Sequence, residues 1–134
     1  MQMATIGKFN FDTSEFGKFE ASELALSEVG NFFQVNVSHS MGAKFHTSLS
    51  MNIEKFEGTK TFIDAQLPVI KYTFREDDYM FRYTVKSGSL TATISAGTVK
   101  ITGSFNLKMI ADAGSEPTGP KEVALSNGVF ELKN

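Results

Sequence analysis

Two histidines, His39 and His46, are the only imidazoles in the chain, and it has no cysteine. A thiolate zinc site, a disulfide scaffold and a Cys nucleophile are therefore excluded. A histidine-based metal site needs further imidazoles or carboxylates converging on one ion. None is patterned around His39, which falls in a loop, or around His46, on the polar face of a strand. Both read as solvent-exposed side chains. The acidic run Glu76-Asp77-Asp78 offers several oxygens to a hard cation such as calcium, but it lacks the spaced Asp/Asn/Gly loop of an EF-hand. A solvated turn tip explains it more simply, because Asp is a standard turn residue. Asp112 and Glu116 have the same two readings. Serine is plentiful, yet no Gly-x-Ser-x-Gly elbow and no phosphate-binding loop occur. A carboxylate pair for glycoside hydrolysis would need a cleft, and a small chain without tryptophan gives no sign of one. The chain reads as a non-enzyme with no catalytic residue, no metal site and no cofactor.

Tyr72, Phe74, Tyr79, Phe81 and Tyr83 form the most suggestive group. Aromatic platforms stack on sugar rings, and apolar barrels hold lipids. Cross-strand aromatic pairs also stabilise sheets without any ligand. Which role applies depends on the face these side chains occupy. Phe16, Phe19, Phe32, Phe56 and Phe62 fall near turns or off the clean alternation. They suit caps on the ends of a core. Exposed together, they would mark a partner surface.

The elements that must place these residues are strands. From Lys44 to Ile53, Phe45, Thr47, Leu49, Met51 and Ile53 alternate with Lys44, His46, Ser48, Ser50 and Asn52. Period two marks a strand with one buried face. Phe33, Val35 and Val37 alternate in the same way with Gln34, Asn36 and Ser38. Hairpin partners must place their apolar sets on one face, since a one-residue slip turns every side chain over. A turn at Asp77-Asp78 pairs Phe74 with Phe81, Tyr72 with Tyr83 and Ile70 with Val85. A turn at Ser87-Gly88 pairs Val85 with Leu90, Tyr83 with Ala92 and Phe81 with Ile94. A third at Ala96-Gly97 pairs Ile94 with Val99, Ala92 with Ile101 and Leu90 with Gly103. These registers predict a four-strand meander over Val69–Met109, with buried rows Phe74–Phe81–Ile94–Val99 and Tyr72–Tyr83–Ala92–Ile101. All five aromatics of the suggestive group then face the core.

Further hairpins follow from a turn at Val29-Gly30, which pairs Leu26 with Phe33 and Leu24 with Val35. A loop from His39 to Ala43 pairs Val37 with Phe45, and a turn at Asn127-Gly128 pairs Leu125 with Phe130 and Val123 with Leu132. Ala21–Glu28 contains good helix formers, but its register against Phe33 and Val35 favours a strand. The stretch from Asp112 to Pro120 reads as a long surface connection. The run from Thr98 to Ile110 is long enough to bend at Gly103 and serve two sheets. The expected fold is all-β, an antiparallel β-sandwich of about eight to ten strands; a closed β-barrel is the alternative. Residues 1–134 form one domain, as this length allows without disulfide staples.

Charge narrows the partners. The net charge is −2, and lysines and arginines are scattered singly, so nucleic acid is not expected. No apolar stretch reaches membrane-spanning length, and the first residues lack the pattern of a signal peptide. The absence of cysteine suits a cytoplasmic protein. It suits an exported or envelope domain equally well, if a signal segment was removed.

Three segments carry a resemblance: Glu57-Gly58-Thr59-Lys60-Thr61-Phe62, Thr102-Gly103-Ser104-Phe105-Asn106-Leu107 and Ser126-Asn127-Gly128-Val129-Phe130. In them the chain resembles, over residues 19–134, an uncharacterised family of small β-sandwich lipoproteins from Bacteroidetes-type cell envelopes. The resemblance implies a sandwich at the cell envelope and no catalytic residues. The chain departs from that family in lacking the lipid-bearing cysteine of its mature N-terminus. Three functions follow as expectations. The first is a non-enzymatic binding or structural module that uses loop tips or exposed strand faces. The second is a lipocalin-like carrier of a small apolar ligand. The third is a subunit of an assembly joined through sheet edges.

Overall fold

The computed structural model describes residues 4–40, 42, 44–95 and 99–134. Its strands, in chain order, are β1 (Ile6–Thr13), β2 (Gly17–Glu20), β3 (Glu23–Val29), β4 (Phe32–Ser40), β5 (Phe45–Glu54), β6 (Gly58–Ile63), β7 (Ile70–Glu76), β8 (Tyr79–Ile94), β9 (Lys100–Ala111) and β10 (Glu122–Lys133). One turn of 3-10 helix, Asp64–Gln66, links β6 to β7. All the strands belong to one antiparallel sheet, in the order β2-β1-β10-β9-β8-β7-β5-β4-β3, with β6 paired to β8 off this path. The all-β antiparallel expectation holds, and the sheet is curled into a half-barrel.

The curl follows from one short connection. β2 and β3 are the two ends of the strand order, yet only Ala21 and Ser22 separate them in sequence. Eight inter-strand gaps of about 4.8 Å would hold the ends of a flat sheet about 38 Å apart. Three Cα steps reach about 11 Å at most. The sheet must therefore bend until the end of β2 lies near the start of β3. Ala21 N donates to Phe9 O (3.0 Å) and Ser22 N to Ser38 O (2.9 Å), so the connection bonds to both flanks. Nearby, Leu26 N of β3 donates to Thr5 Oγ1 (2.9 Å), and Asn134 Nδ2 donates to Leu26 O (2.7 Å). Thr5 Oγ1 in turn donates to Asn134 Oδ1 (2.6 Å).

The inner face is filled with rings. Phe9, Phe11, Phe19, Tyr72, Tyr83, Phe105 and Phe130 are buried. Phe11 stacks on Phe19 with centroids 4.5 Å apart, and Phe9 stacks on Phe130 at 5.1 Å. Full burial of such side chains is worth about 1.5–3 kcal/mol each against solvent exposure, the main driving force available to a sheet of this kind.

The Asp77-Asp78 turn forms as expected, with Phe74 opposite Phe81 and Tyr72 opposite Tyr83. The segment 21–28 is a strand, as its register required. Two expected turns are β-bulges instead. β8 runs unbroken through Ser87-Gly88, and the register shifts between Val85 and Ser87 against β9. β10 runs unbroken through Asn127-Gly128, with a shift between Leu125 and Gly128. An extra residue in one strand turns the following side chains over, so a bulge produces the same change of alternation as a two-residue turn. The expected four-strand meander is therefore three strands, β7-β8-β9. Ile94 lies opposite Ile101, not Val99, Ala92 lies opposite Gly103, and Leu90 lies opposite Phe105. The Ala96-Gly97 turn lies outside the described residues.

The β3–β4 hairpin turns at Gly30-Asn31 (Gly30 φ 58°), not at Val29-Gly30, and so pairs Leu26 with Val35 and Leu24 with Val37. Val37 lies opposite Leu49, four positions along from the expected Phe45. β9 does not divide between two sheets at Gly103; it pairs on both sides within one.

The connection 112–120 is strapped along β8 where β9 has ended. Asp112 N donates to Arg82 O and Glu116 N to Met80 O, both at 2.8 Å. Arg82 N donates to Ser115 Oγ (3.0 Å), Tyr83 Oη to Pro120 O (2.7 Å) and Thr84 Oγ1 to Asp112 Oδ1 (2.6 Å). These bonds cover an edge of β8 that would otherwise be open.

Candidate binding cleft

β8 has 16 residues and carries two partners in succession on one side. β7 pairs with Tyr79–Thr84, and β6 pairs with Ser89–Ile94. The bulge lies between them, and the 3-10 turn that joins β6 to β7 is tied to it. Asp64, at φ 49°, accepts at Oδ1 from Gly88 N (3.0 Å). β7 continues the sheet to β5, where Met51 opposite Ile70 is the last pair. Beyond it Asn52 N donates to Val69 O (3.3 Å), and β5 runs on to Glu54 past the start of β7, without β6 as a partner.

The sheet is split there. The cleft has a volume of about 420 Å³ and is lined by Phe32, Asn52 and Glu54 on one side and Phe62, Gln66, Leu67, Pro68 and Val69 on the other. Its apolar members are not all withdrawn from water: Phe32 is 44% exposed and Val69 57%. Val29, opposite Phe32 on β3, and Ile63, next to Phe62, are also exposed. Large apolar side chains exposed side by side cost solubility and mark contact surfaces. Among the described residues, the backbone of Gly58–Phe62 bonds only to β8, so the outer edge of β6 is unpaired.

The residues of β6 leave this edge open. Thr59 and Thr61 share hydroxyl hydrogen bonds with Thr93 (2.8 Å) and Thr91 (2.9 Å). Lys60, opposite buried Ala92, holds its ammonium over the rings of Phe62 (5.0 Å) and Phe56 (6.0 Å). Lys55 lies over Phe33 (5.4 Å) and is paired with Glu28 (2.7 Å). Glu54 is the one ionisable side chain lining the cleft.

A second trough, also of about 420 Å³, crosses β3–β5 and is lined by Glu23, Ala25, Asn36, Ser38, Ser48 and Ser50 with the strands beneath. β4 and β5 are paired on both sides there, so their backbone offers nothing to a ligand.

The structure scatters the residues singled out in the sequence. Glu76, Asp77 and Asp78 are exposed at the β7–β8 tip, where Asp77 N donates to Lys44 O (2.8 Å). Asp112 is occupied by Thr84, and Glu116 accepts from Thr118 Oγ1 (3.1 Å). Among the described residues no three His, Asp or Glu side chains are grouped to hold a metal ion. His39 is not in a loop but in β4, opposite Thr47, half-buried, with Nδ1 shielded and without a partner among the described residues. His46 is also half-buried, and its Nδ1 lies 2.7 Å from Ser40 Oγ. Neither is the exposed histidine expected: β4 runs two residues past Ser38, which places His39 opposite Thr47 and Ser40 opposite His46.

Of the aromatic group, Tyr72 and Tyr83 are core, and Phe74 and Phe81 are half-buried beneath Phe16, which stacks on Phe74 at 4.4 Å. Tyr79 is the exception, 55% exposed at the hairpin tip. Burial raises the Tyr72 phenol well above its usual range, with Tyr83 adding to the shift. Burial, then the negative charge of Glu15, pushes Tyr83 up to about 12. Sequence reading gave Phe32 as a candidate surface residue but missed Val69, Leu67 and the β6 edge. The only trace of them is Leu67-Pro68-Val69, an apolar run that interrupts the period-two pattern at a proline.

Among the described residues no helix is long and apolar enough to cross a membrane. Compared with known proteins, the chain matches no family model, no curated protein and no solved structure.

Proposed function

We propose that this chain is a non-enzymatic binding module that takes a polypeptide partner in the cleft between β5 and β6. One observation carries the reading: exposed Phe32 and Val69 flank a strand edge whose backbone is unpaired. Folded sheets ordinarily pair or cover such edges. Along β8 this fold does so with the 112–120 strap, and at Leu26 of β3 with Thr5 and Asn134. The joining of β3 to the start and end of the chain also supports a β-barrel over a sandwich. The envelope setting implied by the resemblance belongs to the same proposal.

A carrier of a small apolar molecule is the second reading. The volume of the cleft favours it, since small-ligand sites fall in the range of about 300–1,000 Å³. The ring-filled interior favours the first. Selection from a random peptide library, followed by amide chemical-shift mapping, tests the proposal. Selected peptides should shift Phe32, Asn52, Phe62 and Val69. If no peptide is enriched while a fatty acid shifts those same amides, the carrier reading replaces it.

A further inference from the structure

We infer that the partner binds as an added β-strand: an extended segment of five or six residues hydrogen-bonded along the outer edge of β6, with small apolar side chains at alternate positions and a lysine or arginine beside Glu54. This rests on the cleft-binding reading and specifies the chemistry of its occupant.

The backbone defines that occupant. β6 has six residues, giving an edge about 20 Å long. Its unpaired amides and carbonyls recur at the strand repeat, and only another extended backbone satisfies them in series. A globular or helical partner would cover these groups without bonding them, at a desolvation cost. The edge has no proline within it, and its one lysine is folded over Phe56 and Phe62 rather than across the edge. The usual devices that repel an incoming strand are thus absent. Side chains on one face of the added strand would meet Leu67, Val69 and Phe32. The charge follows from the lining, where Glu54 has no basic neighbour among the cleft residues.

The probe is a synthetic peptide, Lys-Val-Thr-Val-Ser-Val-Thr, capped at both ends. Its twin carries N-methyl groups on two adjacent central residues, which blocks both edges of the peptide strand. Titration into the labelled full chain should shift the Thr59–Phe62 amides. At saturation it should slow hydrogen exchange at alternate members of that set by roughly tenfold or more, as expected for newly paired strand amides. The twin should do neither. Glu54→Lys should weaken binding of the probe by roughly two- to fivefold, and a probe with glutamate in place of lysine should recover it, as for an exposed ion pair. Val69→Asp should weaken it further. Both positions are exposed, so both variants should fold.

Equal binding by the N-methylated twin would overturn strand addition and leave the cleft-binding reading standing. Failure of the probe to shift β6 amides at millimolar concentration would also overturn it. If library-selected peptides too leave the cleft unshifted, the proposed function falls with it. A dimer by light scattering, with β6 amides already protected in the free protein, would mean that a second copy occupies the edge and would overturn the inference.

Discussion

The Phe130 ring stands 2.5 Å from the point that a Cβ on Gly103 would occupy. Gly103 and Phe130 are cross-strand partners, and so are Phe105 and Gly128. The two Gly-x-Phe segments therefore face each other reciprocally, each ring lying over the glycine of the other strand. A β-carbon at either glycine would have to displace a packed ring, and overpacking of a core costs about 1–3 kcal/mol. Gly103→Ala and Gly128→Ala should each lower the urea midpoint with the slope unchanged. The rescues should differ. At Gly128 the three nearest obstacles are all Phe105 ring atoms, whereas at Gly103 the nearest is the Thr91 backbone oxygen at 2.4 Å. Gly128→Ala with Phe105→Leu should be less destabilised than the two singles summed. Gly103→Ala with Phe130→Leu should recover little. Equal coupling in both cycles would contradict the backbone obstacle.

The Thr5–Asn134–Leu26 triangle fastens β3, one end of the strand order, to the residues that flank β1 and β10. Asn134→Ala leaves Leu26 O without its partner, at a cost of about 1–3 kcal/mol for a buried group left unpaired. Native-state hydrogen exchange should show the Leu26 amide opening faster, while amides of β9 change only by the global loss. No selective change at Leu26 would mean that the triangle does not hold the edge.

Ser115 is the buried polar residue of the strap, and its hydroxyl accepts from Arg82 N. Ser115→Ala should expose the 112–120 segment to limited proteolysis and speed exchange at Arg82. Ser115→Thr keeps the hydroxyl and should behave closer to the parent chain. A protease-resistant alanine variant would show that the backbone bonds of Asp112 and Glu116 suffice.

Alkaline pH should destabilise the fold through its tyrosines. Tyr83 ionises near 12 when folded against about 10 when unfolded. Below pH 10 both states keep the proton and the full stability remains. Between about 10 and 12 the unfolded chain alone releases it, so stability falls as pH rises. Tyr72 is shifted in the same direction. Tyr83→Phe should flatten the decline over that window, measured as urea midpoint against pH. An unchanged slope would assign the decline to other groups.

The strands were legible because one face of each is buried, and period two records that directly. Leu49, Met51 and Ile53 are all core, as their spacing implied. What period two does not distinguish is why the pattern changes phase. Phe81, Tyr83 and Val85 give way to Leu90, Ala92 and Ile94, and either a hairpin turn or a bulge accounts for the switch. Asn127-Gly128 is the dipeptide favoured in two-residue hairpins, yet here Asn127 takes φ 53° within a bulge. Asn106 Oδ1 accepts from its amide, and its side chain donates to Asp12 Oδ2. Neither partner is near it in sequence. The cleft was illegible for a related reason. It arises because β6 and β7 share one long strand, and once β8 is divided in two at Ser87-Gly88 no such sharing is visible. The Gly-x-Phe segments that carried the family resemblance have a local explanation in packing.

β1 lies between β10 and β2, with Ile6 opposite Lys133. Among these strands β3, β4 and β5 pair as successive hairpins, and β1 meets β2 across one short turn, but its other neighbour, β10, follows all the rest. Such distant pairing pays its loop-closure entropy before any contact rewards it, which slows folding. Until β10 pairs, Phe9 lacks its stacking partner Phe130, while Phe11 already has Phe19 of β2. The β1–β10 pairing is thus the long-range closure on which completion of the sheet waits.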